Sequence, residues 1–292
     1  MKKIKTIDFF NIPHKVHSKD FATLESPYPK ILGGNNLDQL ITALKQAKDK
    51  CKPIVWALGG YTTKCGLNPL ILDLVKKGYV THIIMNGAAA IHDVEIALFG
   101  ETSEWVENGL QSGKFGFSEQ TGDFFYNAIS YNYKGIGESL RDNLRNGWTN
   151  IKCKDSLIYT FDGPILCFSA PGTETIYQHP SFLENGQIWA TVGYHTQNDF
   201  RRLIEIIPCL ENGGVYINVC SAVVLPEIFM KAFSVTANIG QAPKPKTWTA
   251  VNLDKRQQYR CTENVLRRPG GNPIQILGEI EITIPVIYEN IL

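Results

Sequence analysis

The chain has 292 residues, 43% of them hydrophobic and 20% charged, with a formal net charge of +1. That balance is ordinary for a globular protein and leaves room for one large α/β core. It argues against a basic nucleic-acid-binding surface, and the lack of an 18-residue apolar run argues against a membrane-spanning helix. Asp8, Asn11 and His14 interrupt any signal-peptide core. The seven cysteines (Cys51, Cys65, Cys153, Cys167, Cys209, Cys220 and Cys261) are odd in number and form no C-x-x-C pair. Reduced packing thiols in a cytoplasmic protein are the expectation.

The first 31 residues read as an irregular arm, because Pro13, Pro27 and Pro29 break regular structure. Lys2, Lys3 and Lys5 make its start basic and frayed, and the arm suits wrapping the domain or a neighbouring subunit. Residues 32–292 read as a single domain. Gly33–Asn36 is a turn with a helix cap, and Leu37, Leu40, Ile41 and Leu44 recur at helical spacing, so a helix covers 37–48. Residues 53–58 are a buried strand ending in Gly59-Gly60, followed by a helix over 67–78. A second strand covers 80–85, and a helix follows from about His92. Helices are expected at 118–131 and 137–145, then a strand at 164–168 and a polar loop over 169–181. A helix at 199–210, a strand at 213–219, a helix at 226–238 and a strand near 247–252 continue the rhythm. Ile280–Ile284 alternates apolar with polar residues and reads as a closing strand. The order predicts a Rossmann-like parallel sheet with helices on both faces.

In such sheets ligands bind beyond the carboxyl ends of the strands. That rule selects the loops 59–66, 86–95, 169–181, 220–227 and 252–260. No G-x-G-x-x-G and no G-x-x-x-x-G-K-[ST] is present, so a dinucleotide would have to use small loops and helix starts. In the string Asn86–Glu95, small residues permit close approach, and His92 and Glu95 share a helix face. Two readings stand there: a ligand-facing polar cluster, or Asp93 capping the helix while His92 makes a structural hydrogen bond. A metal held by His92, Glu95, His179 and His195 is a weaker third, without tight ligand spacing. The loop Ser169–Pro180 carries many hydrogen-bonding groups beyond a strand, and Glu227 lies in the first turn of a helix. Glu279 and Glu281 fall on the polar face of the predicted closing strand. Cys65 and Cys220 follow strands with no adjacent base and read as site-lining or packing residues.

From about Leu32 to Ile287 the chain resembles deoxyhypusine synthase and its bacterial and archaeal relatives. The likeness is carried by Gly60-Tyr61-Thr62-Thr63, Asn86–Glu95, Pro164–His179, Gly213–Ser221 and the stretch from Trp248 through Pro285. Asn86–Gly100 is more similar to a synthase-like bacterial subgroup than to the true enzyme. It also looks like a domain of some archaeal ornithine cyclodeaminases. The resemblance implies a homotetramer that binds NAD near a subunit interface and oxidises an amine. By position, Thr62, Thr63, Gly87, Ala88, Asp93, Thr173, Ser221, Asn252 and Glu279 match the dinucleotide-contacting loops. The family's catalytic lysine sits in a Trp-Gly-Lys string, yet here Arg267–Gln275 occupies that stretch and no lysine follows Lys255. Arginine stays protonated and forms no imine, so deoxyhypusine formation by the usual route is not expected. Hydride removal from a polyamine or amino-acid amine needs no lysine. Its candidate groups are Glu95, Glu174 and Glu227 to orient the cation and His92 as acid or base, with a non-catalytic binding relative as the alternative.

Overall fold

The computed structural model describes residues 3–24, 28–130 and 134–292. Lys2 and Pro27 of the predicted arm, and residue 131 of the predicted helix 118–131, lie outside the described residues. The elements in chain order are α1 (Leu32–Asp49), β1 (Ile54–Leu58), α2 (Tyr61–Lys64), α3 (Asn68–Lys76), β2 (His82–Asn86), α4 (Gly87–Phe99), α5 (Val106–Ser112) and α6 (Glu119–Ser130). Then come α7 (Ile136–Asn146), α8 (Leu157–Thr160), β3 (Ile165–Phe168), α9 (Pro180–Glu184), α10 (Ile188–Cys209), β4 (Val215–Val219) and α11 (Val224–Asn238). β5 (Thr249–Asp254), a π-helix over Cys261–Arg267, β6 (Asn272–Leu277) and α12 (Ile280–Ile291) complete the chain.

The six strands form one parallel sheet in the order β3-β2-β1-β4-β5-β6. Apolar runs such as Ile54–Leu58 suit a sheet buried on both faces. All five of those residues are buried, and they alternate between two cores. Ile54, Trp56 and Leu58 join the cluster that α1, α3, α4 and α12 cover, while Val55 and Ala57 face α10 and α11. Strand order reverses between β1 and β4, which leaves a crevice at their carboxyl ends.

Several elements differ from the sequence reading for local reasons. Gly33 and Gly34 form the first turn of α1 rather than a turn before it, and a Cβ on Gly34 would lie 1.8 Å from the Pro29 carbonyl oxygen. α4 begins at Gly87, several residues before His92, because the Asn86 side chain caps it through the Ala89 N–H at 2.9 Å. α10 extends back to Ile188, since its buried stripe includes the polar residues His195 and Asp199, which an apolar pattern misses. The predicted closing strand over Ile280–Ile284 is the start of α12. Ile280, Ile284, Ile287 and Ile291 are buried at helical spacing, while Ile282 is 62% exposed. The sixth strand is instead Asn272–Leu277, which tolerates Pro273 because it lies at the sheet edge.

None of the described residues before Leu37 is buried. Residues 3–24 hold two short 3₁₀ turns and present Ile4, Phe10 and Leu24 to solvent. Among the described residues no helix is long and apolar enough to cross a membrane.

Candidate functional site

At the β1–β4 crevice the backbones approach so closely that side chains would not fit. A Cβ on Gly59 would lie 2.1 Å from the Cys220 carbonyl oxygen, and the Gly59 N–H bonds the Val219 carbonyl at 2.8 Å. Gly60 faces Ala88, whose Cβ would be 3.0 Å from a Cβ placed on Gly60. Cys220 itself takes φ 48°, a left-handed conformation uncommon for a side-chain-bearing residue. Thr62 and Thr63 lie buried in α2, and the Thr62 hydroxyl has no protein partner. Ser221 is buried across the crevice, with its Oγ accepting from the Leu225 N–H at 3.4 Å.

Beneath the crevice an amide ladder crosses three strands. Asn218 donates to the Asn252 Oδ1 at 2.7 Å, and the Asn252 Nδ2 donates to the Gln275 Oε1 at 3.2 Å. These residues pair side by side in the sheet, so the ladder follows from strand register. Asn252, expected at the cofactor, is fully buried and spends its side chain here.

Around β2 and β3 the predicted residues fall into separate networks. Glu174 packs against Gly87, where a Cβ would lie 2.3 Å from its Cδ. Its carboxylate accepts from the Ser169 hydroxyl at 2.8 Å, from the Ala170 N–H at 3.3 Å and from the exposed Thr173 hydroxyl. Burial nonetheless pushes the Glu174 carboxyl above its ordinary range. His92 and Glu95 do share a face of α4. The His92 Nδ1 lies 2.8 Å from the Thr102 hydroxyl and 3.8 Å from Glu95, which also accepts from Thr102 and from Thr121 at 3.2 Å. Burial works to raise the Glu95 carboxyl, but these partners outweigh it and hold it low.

Asp93 neither caps its own helix nor reaches the crevice. It is fully buried and accepts from Asn68 at 2.7 Å, Ser156 Oγ at 2.6 Å, Leu157 N at 2.9 Å and Ile158 N at 2.8 Å. It therefore caps the start of α8, a structural task that occupies both oxygens. His179, a candidate in the metal reading, caps α9 through the Ser181 N–H at 3.4 Å. Among the described residues no three His, Cys, Asp or Glu side chains come together to hold a metal.

Around β5 and β6 a different group forms. Glu279 precedes the first turn of α12 and pairs with Lys255 at 2.6 Å, leaving its other oxygen buried without a partner. Glu281 lies 3.7 Å from the Cys65 thiol. Burial raises that thiol, and Glu281 and Glu279 add to the rise. Tyr61, bonded to Cys65 and close to both glutamates, is pushed up to about 12. Cys220 is likewise pushed up to about 12, by burial first and then by Asp254. Asp254 ends β5, and burial raises its carboxyl. Tyr61, Asp254 and Lys255 were not named as site residues from the sequence, although the end-of-strand rule marks all three positions. Glu227 stands apart on α11, engaged by Arg260 at 3.1 Å, Asn264 at 2.9 Å and Lys231 at 3.4 Å.

No family model and no curated protein matches the sequence. Solved structures do match the fold. AgrE, solved as a ternary complex with ornithine and NAD+, is 11% identical with a TM-score of 0.55, over 89% of this chain and 33% of AgrE. A conserved protein described as LOR/SDH, from Methanococcus maripaludis S2, is 12% identical with a TM-score of 0.56, over 100% of this chain and 74% of that one. A protein described as a deoxyhypusine synthase, from Entamoeba histolytica, aligns at 11% identity and a TM-score of 0.47 over 88% and 87% of the two chains, too weakly to carry an argument. This chain spans about a third of AgrE. At such identities the likeness establishes the Rossmann-like fold and no more.

Proposed function

We propose that the protein is an NAD-dependent enzyme acting on a small amine, either a polyamine or an amino-acid amine. The observation that carries this reading is the group Asp254, Glu279 and Glu281 beside the glycine-lined crevice of a 3-2-1-4-5-6 sheet. Carboxylates with few donors suit a cationic amine, and a switch-point crevice suits a dinucleotide. One observation fits NAD: the buried Thr62 hydroxyl lacks a protein partner, at a crevice whose Gly59, Gly60 and Gly87 are packed against protein atoms.

In this reading Thr62, Thr63, Gly87, Ala88, Thr173 and Ser221 hold the dinucleotide. Asp93 and Asn252 are left out, because their buried side chains brace the fold. NAD supplies the hydride acceptor. Glu279 and Glu281 orient the ammonium group, and Lys255 tempers their charge. With NAD bound to accept a hydride from the carbon beside the nitrogen, Glu174, whose carboxyl burial raises, would take the nitrogen proton, and the resulting imine would be captured by a second amine or close internally. His92 and Glu95 act one layer back, joining α4 to α6 through Thr121. Glu227, already paired, acts at most through Arg260.

We further propose a cytoplasmic homo-oligomer, a tetramer by the family resemblance. The exposed Ile4, Phe10 and Leu24 of the arm 3–24 would cover a neighbouring copy, and light scattering tests this. A non-catalytic NAD- or metabolite-binding relative is the second reading. It is favoured by the engagement of His92, Glu95, Glu174 and Glu227 in protein hydrogen bonds and by the missing lysine.

Calorimetric titration with NAD, followed by an amine panel at the reduced-nicotinamide absorbance, separates the readings. Binding with turnover supports the enzyme. Binding without turnover supports the second reading. No binding by folded protein ends both NAD readings.

A further inference from the structure

Two cavities open at the opposite, amino edge of the sheet, and neither borders Thr62, Gly87, Glu174 or Glu279. The smaller, about 300 Å³, mixes Arg202, paired with Glu138 at 2.8 Å, with Glu205 and His82, a lining that favours no one charge of ligand. The larger, about 340 Å³, is lined by Lys50, Lys246, Gln46, Asn212, Thr247 and Asn272, among others, and by no acidic side chain. We propose that this larger cavity binds a small oxyanion, a phosphate ester or a polycarboxylate.

The argument starts from charge. Among the described residues neither Lys50 nor Lys246 makes an ion pair, and the side chains of Gln46 and Asn212 make no hydrogen bond. Of the flanking acids, Asp49 does not line the cavity, and Glu211 is drawn to Lys244 at 3.6 Å. A lysine offers three donors and no acceptor, so two exposed lysines in a groove with no acid on its walls favour an anion.

The backbone is shaped around these groups. Lys246 takes φ 60° and Asn212 φ 68°, left-handed values that lysine rarely adopts. Lys246 is held there by its N–H to the Gly270 carbonyl at 2.8 Å and by Asn272, which donates to its carbonyl at 3.1 Å. Gly213, at φ 124°, offers no side chain where Lys50 crosses it; a Cβ there would lie 3.3 Å from the Lys50 Cδ. The volume sits at the lower end of small-ligand pockets, too little for a dinucleotide. A five-residue strand separates this edge from the crevice, roughly 17 Å at ~3.3 Å per residue. The proposed anion site is thus separate from the crevice.

The test is thermal unfolding of the full chain in sodium phosphate and, separately, in sodium citrate, each against sodium chloride at equal ionic strength. At tenfold saturation one or both anions should raise Tm by about 2 °C beyond chloride. The double variant Lys50→Ala/Lys246→Ala should lose that increment, while Lys76→Ala, on a distant helix, should keep it. An increment with phosphate alone assigns a phosphate ester, and with citrate alone a polycarboxylate. The proposal is overturned if chloride matches both anions, or if the double variant keeps the full increment.

Discussion

Around β2, β3 and their helices, carboxylates are met by donors: Asp93 accepts four hydrogen bonds, and Glu95 and Glu174 accept from hydroxyls. Around β5 and β6, Asp254 has the Arg256 N–H at 3.2 Å and the Lys255 N–H, Glu279 has Lys255, and Glu281, among the described residues, has only a thiol at 3.7 Å. Asp93, Glu95 and Glu174 act as braces, because burying a carboxylate costs least when its oxygens are satisfied, although Asp199 in the same region keeps one oxygen without a partner among the described residues. The second region leaves hydrogen-bonding capacity unused beside the crevice proposed to take a ligand. The difference teaches that an acid near a strand end is not by itself a site; what its oxygens already hold decides.

The strongest way to break this contrast is Asp93→Ala. It strands four donors, two of them the first N–H groups of α8, and should cost about 3–5 kcal/mol in urea unfolding. Glu281→Ala should change stability by less than about 0.5 kcal/mol. Equal costs would erase the distinction between brace and site.

A second expectation concerns Asp199, fully buried on α10 and accepting from Cys167 N at 2.9 Å and Gly137 N at 3.2 Å. Burial pushes its carboxyl to about 7 from an ordinary 3.8, the backbone donors opposing that rise. A carboxyl raised on folding stabilises fully below its unfolded value and loses that contribution as pH rises through the folded one. Stability should therefore decline between about pH 4 and 7 through this group. Asp199→Asn should flatten that part of the profile, and an unchanged slope in the variant would rule this out.

The smallest effect sharpens the other side. Glu281→Gln removes one charge that raises the Cys65 thiol, so iodoacetamide should alkylate Cys65 about twofold faster at pH 8. No acceleration would mean that burial alone governs the thiol.

Five of the six strands, and the loops at their carboxyl ends, were legible from short apolar runs ending in glycine or polar residues. The sixth was not, because Asn272-Pro273-Ile274-Gln275 lacks a continuous apolar run and contains proline, tolerated only at an edge. Ile280–Ile284 misled because alternation and helical spacing both place residues 280 and 284 on one face; they part only at Ile282 and Ile287. That error put Glu279 and Glu281 on a strand, whereas a helix start delivers them to Lys255 and Cys65.

What the sequence determined by itself is the parallel α/β class, the glycines at the crevice and the absence of any lysine after Lys255, since each is local pattern or composition. Tertiary structure alone decided which polar groups are spent and which remain free. Asp93 finds three of its partners 63 to 65 residues away and the fourth 25 away, and Asn218 finds Asn252 only through strand register. Hydrogen-bond satisfaction is a property of the packed chain, and no local spacing encodes it.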